Sequence, residues 1–288
     1  MNPAEAYVLT VTCKSERGQV AEISGFLAQH GYYINELAQF DDEDSNRFFA
    51  RCLFRPDGAP TFGLEALREA FAAGPATRFP MEWAIHDAHR RMRVLIMVSK
   101  FDHCLNDLLY RHRTGELRMD VTAVVSNHPD LEPLVRWHGL PYVHLPITPA
   151  TKAEQEAKLW ALIEETRSEL VVLARYMQVL SDELCERLRG RAINIHHSFL
   201  PGFKGAKPYH RAYERGVKLI GATAHYVTAD LDEGPIIEQV VERVDHTLKP
   251  EDLVAVGRDS ENLALARAVR LHLEHRVFIN GNRTVVFR

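Results

Sequence analysis

Repeated alternation of short apolar runs and helical patterns limits the fold of this chain more than any other feature. The apolar runs are continuous, which is typical of strands buried on both faces of a parallel sheet. Between them, apolar residues recur with helical spacing. We predict strands at 93–98, 121–125, 142–145 and 170–173, with helices around 105–109, 131–137 and 153–167 between them. This order indicates an α/β domain with a doubly wound, mostly parallel sheet.

Further elements follow this core. Extended runs at 192–195, 219–226 and 236–244 precede a long helix at 250–275 and a terminal hairpin at 277–287. The hairpin is predicted from Asn280-Gly281, a residue pair that is favoured in two-residue turns.

The N-terminal part of the chain has a different order of elements. Strand patterns at 7–12, 32–40, 47–54 and 79–85 enclose helical patterns at 20–27 and 64–71. The resulting βαββαβ order is that of the ferredoxin-like fold. A short, polar and basic segment follows it. We therefore predict two domains, residues 1–86 and 92–288, joined by a linker at 87–91.

Composition disfavours several classes of function. The chain has 288 residues, 46% of them hydrophobic, and a formal net charge of -4, which provides no broad basic surface for a nucleic acid. Its four cysteines have no CxxC or metal-ligand spacing, so we expect reduced thiols and no structural zinc. The sequence has neither a secretory start nor a run of about twenty apolar residues, so we expect a cytoplasmic protein that does not span a membrane.

Polar side chains cluster after two of the later strand patterns. They lie in the segments 194–198, which reads Asn-Ile-His-His-Ser, and 225–235, which contains three carboxylates. Ligands bind at strand ends in open α/β sheets, so we expect both segments to line a ligand site. Acyl transfer requires a donor for the developing oxyanion, a proton carrier and a base that manages water or an amine. An amide, an imidazole and a carboxylate supply these groups, and the sequence therefore indicates an enzyme.

Four stretches together resemble the folate-dependent formyltransferase family. They are 194–201, 205–212, 225–235 and, for the pterin pocket of that family, 173–181. The N-terminal domain resembles an ACT domain, the amino-acid-sensing module. The resemblance covers nearly the whole chain. Asn-x-His alone would be a weak signal, but the ordered set of stretches with matching separations is specific.

The resemblance implies roles for particular residues. Asn194 and His196 are expected to stabilise the oxyanion, and Asp232 to activate water, provided that burial raises the pKa of its carboxyl group. The expected supporting residues are His197, His225 and Thr228. The expected folate-binding residues are Arg175, Met177, Gln178, Val179 and Leu180. No metal and no cofactor are expected, because the folate is itself the substrate.

Several of these assignments have alternatives. Asp230 and Glu233 are rival carboxylates, although the family spacing favours Asp232. His197 is equally a positioning residue or a residue at the edge of the core. The apolar members of the 177–180 segment are equally core residues. Lys204, Lys207 and His210 either steer the anionic glutamate tail of a folate or belong to a solvated loop.

The ACT-like domain suggests a second ligand. Residues 13–20 resemble the effector loop of ACT domains, with Ser15 where an aspartate is common. Cys13, Gly18 and Asn35 are the expected contacts of a possible amino-acid effector. The alternative is a domain that only assembles subunits. We expect a homo-oligomer.

The acceptor of the formyl group separates hydrolysis from transfer. The turn at 98–105 has no glycine and carries Asp102, whereas the family member that formylates glycinamide ribonucleotide has a Gly/Ser/Asn-rich turn that cradles a phosphate. A carboxylate there would repel a phosphate, so water is the expected acceptor. We expect hydrolysis of 10-formyltetrahydrofolate to tetrahydrofolate and formate, which would serve one-carbon metabolism and purine biosynthesis. The alternatives are transfer to a small amine, and a folate or amino-acid sensor without turnover.

Overall fold

The computed structural model describes residues 5–58, 62–200 and 208–288. The chain forms two compact units. One comprises Met1–Arg90 with Glu274–Phe278 and Val285–Arg288, and the other comprises Arg91–Leu273 with Ile279–Thr284. These bounds differ from the predicted ones, because two short C-terminal segments group with the first unit and its last strand extends to Asp87. Tertiary packing of this kind leaves no mark in local sequence patterns.

The first unit is a four-stranded antiparallel sheet with helices on one face. Its elements are β1 (Tyr7–Lys14), α1 (Gln19–Gln29), β2 (Tyr32–Asp42), β3 (Arg47–Pro56), α2 (Leu64–Ala73), α3 (Pro75–Arg78) and β4 (Met81–Asp87). The strand order is β2-β3-β1-β4, and all three pairings are antiparallel. The elements follow the predicted βαββαβ order, except that the four-residue α3 was not predicted. Ile23 and Leu27 of α1 and Leu67 and Phe71 of α2 form one core with the sheet.

The C-terminal segment packs against the same sheet and explains why β3 is buried on both faces. The Arg51 side chain is only 4% exposed, and its Nε donates a hydrogen bond to the carbonyl oxygen of Glu274 at 3.0 Å. The Arg51 and Arg276 guanidinium groups both contact the carboxylate of Glu36, at 3.2 and 2.9 Å. A buried charge is tolerated when it is paired and hydrogen-bonded in this way.

The second unit is built around a seven-stranded sheet. Its elements are β5 (Met92–Val98), α4 (His103–Thr114), β6 (Met119–Ser126), α5 (Glu132–Trp137), β7 (Tyr142–His144), α6 (Lys152–Glu165), β8 (Leu170–Leu173), α7 (Asp182–Arg187), β9 (Ala192–His196), α8 (Pro208–Glu214), β10 (Leu219–Tyr226), β11 (Ile236–Arg243) and α9 (Pro250–Leu273). The strand order is β11-β10-β9-β8-β5-β6-β7.

The predicted mixed α/β class and mostly parallel sheet are confirmed. Strands β5 to β9 pair in parallel, whereas β10 pairs antiparallel with both β9 and β11. The chain proceeds outward from β5 first to β6 and then, on the other side, to β8. Such a reversal of strand order opens a crevice at the carboxyl ends of the two central strands. The short helices α7 and α8 were not predicted, and α9 ends at Leu273, two residues before the expected end.

The chain ends in the expected hairpin of β12 (Val277–Asn280) and β13 (Arg283–Val286). All four cysteines are buried and free. Across the described residues, every helix is too short or too polar to span a bilayer.

Candidate active site

The pairing register of β9 and β10 brings four polar side chains to one face of the sheet. Asn194 lies opposite His225, and His196 lies opposite Thr223. Side chains two residues apart on a strand point to the same face, so both pairs project together. Asn194 and His196 are two residues apart, which is the period of a strand, and this is why their side chains share a face.

The carboxylate of Asp232 lies beside His196. Its Oδ1 atom is 3.2 Å from Nδ1 of His196 and 3.9 Å from Nε2 of His225. Burial raises the pKa of Asp232, but the hydrogen bond from His196 and the positive charges of the neighbouring imidazoles in their protonated forms outweigh it, so the pKa lies below its ordinary value. A raised pKa was the condition for Asp232 to activate water directly, and this condition is not met. Asp232 is a carboxylate at neutral pH and a weak base.

This geometry fixes the orientation of the His196 ring. Because a carboxylate only accepts, Nδ1 of His196 carries the hydrogen that faces Asp232. The Nε2 atom is buried and has no hydrogen-bond partner among the described residues. His196 also lines the cavity described below. Its second nitrogen is thus available to a bound substrate or water.

His225 orients the amide of Asn194. Nδ1 of His225 donates to the carbonyl oxygen of Tyr226 at 2.9 Å. Burial lowers the pKa of His225, so the ring is neutral and its Nε2 is an acceptor. That atom lies 3.2 Å from Nδ2 of Asn194, which donates one hydrogen to it. The second amide hydrogen of Asn194 is left for another acceptor.

The loop after β10 brings Asp232 back to this face. Asp232 has φ of 59°, in the left-handed region that non-glycine residues rarely adopt. The Thr228 hydroxyl donates to the carbonyl oxygen of Asp230 at 3.0 Å and so closes the loop. A Cβ atom at Gly234 would overlap the carbonyl oxygen of Tyr226. Only glycine therefore allows the loop to pack against the end of β10.

Two residues that the sequence did not single out hold the segment after β9. The buried Thr223 hydroxyl donates to the carbonyl oxygen of Ser198 at 3.0 Å and accepts from the backbone N–H of Leu200 at 3.1 Å. Nε2 of Gln239 contacts both Thr223 and the carbonyl oxygen of Leu200 at 3.0 Å. Both polar residues stand inside apolar strand patterns, which is the signal that could have identified them.

A cavity of about 530 Å³ opens beside these groups. Every residue predicted for catalysis, support or folate binding lines it, namely Arg175, Met177, Gln178, Val179, Leu180, Asn194, His196, His197, His225, Thr228 and Asp232. His210 lines it too, whereas Lys204 and Lys207 lie outside the described residues. Met177 and Val179 are half exposed, so they are not core residues, whereas Leu180 is buried.

Part of the lining is apolar. Leu173, Tyr176, Leu180, Cys185 and Val227 line the cavity and belong to one hydrophobic cluster, which we call the apolar wall. A flat, mostly apolar ring system would fit against such a surface.

The rest of the lining includes a buried polar network that the sequence reasoning missed. We call Phe101, His103, Arg175, Tyr209 and Glu261 the polar wall. Glu261 is 1% exposed and accepts hydrogen bonds from His103 and from the Tyr209 hydroxyl, both at 2.8 Å. Nε of Arg175 lies 3.3 Å from the same carboxylate. The helical period gives the missed signal, because Glu261 falls on the buried face of α9 four residues after Gly257 and three before Ala264.

These groups form a hydrogen-bond network. In His103, Cys104 and Glu261, the atoms of the kind that can bind a metal ion lie within 4.8 Å of one another. Burial raises the pKa of the Cys104 thiol well above its usual range, which keeps it neutral. The Glu261 carboxylate is already occupied by its hydrogen-bond donors. We therefore assign this cluster a structural, electrostatic role.

Replacement of Glu261 by glutamine tests that role through the pH dependence of stability. Burial raises the pKa of Glu261, but His103 and Arg175 together lower it by more than burial raises it. The pKa in the folded state therefore lies below the ordinary 4.5. The ion pair therefore stabilises the fold above that pH and is lost on acidification. We expect Glu261→Gln to lower Tm by roughly 5–15 °C at pH 7. Calorimetry should show this difference shrinking below pH 4.5; a pH-independent difference would contradict the assignment.

His197 lies between His196 and the polar wall. Its ring stacks on His196 at 5.0 Å and lies 6.4 Å from the ring of Tyr209. Burial, followed by the charge of Arg175, lowers the pKa of His197 to about 4. The ring is therefore neutral at physiological pH and lies between the rings of His196 and Tyr209.

Of the three residues predicted to hold an effector, one lines a cavity of the first unit. Cys13 is a buried core residue whose thiol accepts from Gln19, and it lines a cavity of about 600 Å³ in the first unit. Gly18 caps α1 with φ of 100°, and Asn35 is exposed at an irregularity of β2. Neither Gly18 nor Asn35 lines that cavity. The assignment of Cys13, Gly18 and Asn35 as effector contacts therefore stays a prediction.

Residues 92–269 match the model of the family described as Formyl transferase, and the chain belongs to that family. A formyltetrahydrofolate deformylase of Corynebacterium sp. (strain P-1) is 55% identical over 288 residues, which is the whole of both chains. The crystal structure of a Burkholderia mallei formyltetrahydrofolate deformylase has a TM-score of 0.94 at 60% identity and covers 99% of this chain and 100% of that one. The chain is therefore an enzyme, a hydrolase of the formyltetrahydrofolate deformylase type.

A transferase of the same family offers a useful contrast. The crystal structure of glycinamide ribonucleotide transformylase 1 from Symbiobacterium toebii is 32% identical, with a TM-score of 0.65. The match covers 70% of this chain and 96% of that one. Proteins named as a deformylase and as a transformylase thus share one type of catalytic domain.

Proposed function

We propose that the chain hydrolyses 10-formyltetrahydrofolate to tetrahydrofolate and formate without a metal. The observation that carries this proposal is the convergence of Asn194, His196 and Asp232 at one cavity. The apolar wall offers a surface for the pterin ring, beside the segment that resembles the family's pterin pocket. The formyl group thus has polar partners in the cavity, and the pterin ring has an apolar surface.

In this proposal Asn194 stabilises the oxyanion. As water adds to the formyl carbon, its carbonyl oxygen becomes an anion. The amide hydrogen of Asn194 that does not bond to His225 can donate to it. One such donor contributes roughly 3–4 kcal/mol to the transition state.

The His196–Asp232 pair moves the proton. Nε2 of His196 takes a proton from the attacking water while the new C–O bond forms, and the Asp232 carboxylate stabilises the imidazolium. When the C–N bond breaks, Nε2 returns the proton to the leaving nitrogen. The formic acid so formed ionises to formate. Asp232 thus acts through His196, because its lowered pKa makes it a poor base by itself.

The start of α4 favours water over a phosphorylated acceptor. Asp102 lies at the N-terminal cap of α4, and its carboxylate accepts from Asn106 at 2.9 Å. A helix N-terminus attracts phosphate, but a carboxylate there repels it. This supports water as the acceptor.

Formate release with no amine present tests the proposal. We expect formate and tetrahydrofolate to appear in equal amounts from 10-formyltetrahydrofolate, because water is the only acceptor supplied. Formate that appears only after an amine is added would support a transferase. Binding of the folate without any release would support a sensor.

The first unit and the cellular role complete the proposal. We propose that the βαββαβ unit is an ACT-like domain, supported by its strand order β2-β3-β1-β4. Its proposed functions are assembly of a homo-oligomer and response to an amino-acid effector. We further propose that the enzyme acts in the cytoplasm and supplies formate and free folate for one-carbon metabolism, including purine biosynthesis.

A further inference from the structure

Arg175 has an unusual position in the catalytic cavity. It lies two residues after the end of β8, at the central crevice of the sheet, and has φ of 63°. An arginine gains nothing from this left-handed conformation, which glycine adopts freely. Its side chain is nevertheless only 11% exposed. Unlike Arg167, which is an exposed arginine with φ of 47°, Arg175 is a buried cation beside the cavity and is therefore a candidate for a specific role.

The polar wall holds the Arg175 guanidinium in place. Glu261 contacts Nε at 3.3 Å, and the guanidinium lies over the ring of Phe101, 5.4 Å from its centroid. The carbonyl oxygen of Arg175 accepts from the backbone N–H of Ser99 at 3.2 Å. Side chain and backbone are therefore both fixed. The contact with Glu261 is an ion pair and not a hydrogen bond, and the buried Nε and Nη1 atoms both have no hydrogen-bond partner among the described residues.

The polar wall is separated from His196 by a single side chain, that of His197. His197 stacks on His196, the Tyr209 ring follows His197, and the Tyr209 hydroxyl bonds to Glu261. In the proposed reaction the pterin ring packs against the apolar wall. An attacking acceptor must therefore come from the remaining side of the formyl carbon, where the polar wall lies.

We propose that Arg175, held by Glu261, occupies the acceptor side of the cavity and so restricts the acceptor to water; this inference rests on the proposed hydrolysis. The side chain fills the volume that an amine would need. Glu261 offsets part of its positive charge, and the remainder repels the ammonium form in which most amines exist near neutral pH. Water is small and neutral and meets neither barrier.

Removal of the side chain should allow a small amine to compete. The amine nitrogen would form a bond to the formyl carbon, the bond from that carbon to the folate nitrogen would break, and the proton lost by the amine would pass to the folate nitrogen. Asn194 and His196 serve this step as they serve hydrolysis. No further reactant is required.

Glycinamide is a suitable amine for the test. Wild type, Arg175→Gly and Arg167→Gly are each given 10-formyltetrahydrofolate and glycinamide, and the ratio of formylglycinamide to formate is measured by mass spectrometry. We expect this ratio to rise at least about tenfold in Arg175→Gly. Arg167 is the matched control, because it is an exposed arginine with φ of 47° that does not line the cavity. Its variant should give the wild-type ratio.

The outcomes separate this inference from the proposed function. Absence of formate from wild type would refute hydrolysis itself. A wild-type ratio in an Arg175→Gly protein that still binds tetrahydrofolate would overturn the role of Arg175. Should that variant fail to fold, Phe101→Ala decides, because it removes the exposed ring under the guanidinium. A rise of about threefold is then expected, and an unchanged ratio overturns the inference.

Discussion

Replacement of Asp232 by asparagine is expected to slow formate release by about 10³- to 10⁴-fold. The amide has nearly the same shape but no charge, so it cannot stabilise the imidazolium that forms 3.2 Å away. It also presents a donor or an uncharged acceptor to Nδ1 of His196, which weakens control of the ring. Steady-state and single-turnover assays with 10-formyltetrahydrofolate measure the effect. KM should change little, because the pterin contacts remain.

Asp230 provides the matched comparison for this prediction. It lies two residues before Asp232 in the same loop and also lines the cavity, but it is exposed. Asp230→Asn should stay within about threefold of wild type, as exposed substitutions commonly do. Equal losses in both variants would show that the charge of the loop, and not the pairing of Asp232 with His196, carries the effect.

Replacement of Gly234 by alanine is expected to lower activity at least about 100-fold. The added methyl group would overlap the carbonyl oxygen of Tyr226 and approach Nδ1 of His225 to 3.2 Å. The backbone of Tyr226 is fixed, because its N–H donates to the carbonyl oxygen of Pro235 at 2.9 Å. The loop must therefore shift and carry Asp232 away from His196. Thermal unfolding should also show a loss of roughly 2–4 kcal/mol.

A second glycine controls for the substitution itself. Gly25 lies within α1, and a Cβ atom there meets nothing within 4 Å. Gly25→Ala should keep full activity and gain slightly in stability, because alanine favours a helix. Full activity in Gly234→Ala would mean that the loop adjusts without moving Asp232, contrary to the close fit described here.

The fold was largely accessible from the sequence because its strands carry strong local patterns. The buried β5 and β8 are continuous apolar runs, and their parallel pairing follows from the alternation with helices. The short helices α3, α7 and α8 were missed, since four to seven residues give too little period to detect. The grouping of residues 274–278 with the first unit depends on Arg51 and Glu36, which are distant in the sequence.

The site was accessible to the extent that its residues share a strand or a loop. Asn194 and His196 are two residues apart on β9, so their common face follows from the strand period. The register that adds Thr223 and the helix that adds Glu261 are tertiary features. The direction of the pKa shift of Asp232 could not be predicted either, because it depends on how closely His196 and His225 approach. Only coordinates provide that distance.

A double-mutant cycle between His196 and Asp232 tests the central claim, that the two side chains act as one unit on the proton of the attacking water. Single-turnover formate release is compared for wild type, His196→Ala, Asp232→Asn and the double variant. If Asp232 acts through His196, the double variant should be within about threefold of His196→Ala. Losses that multiply would show that the two residues act independently and would contradict this mechanism.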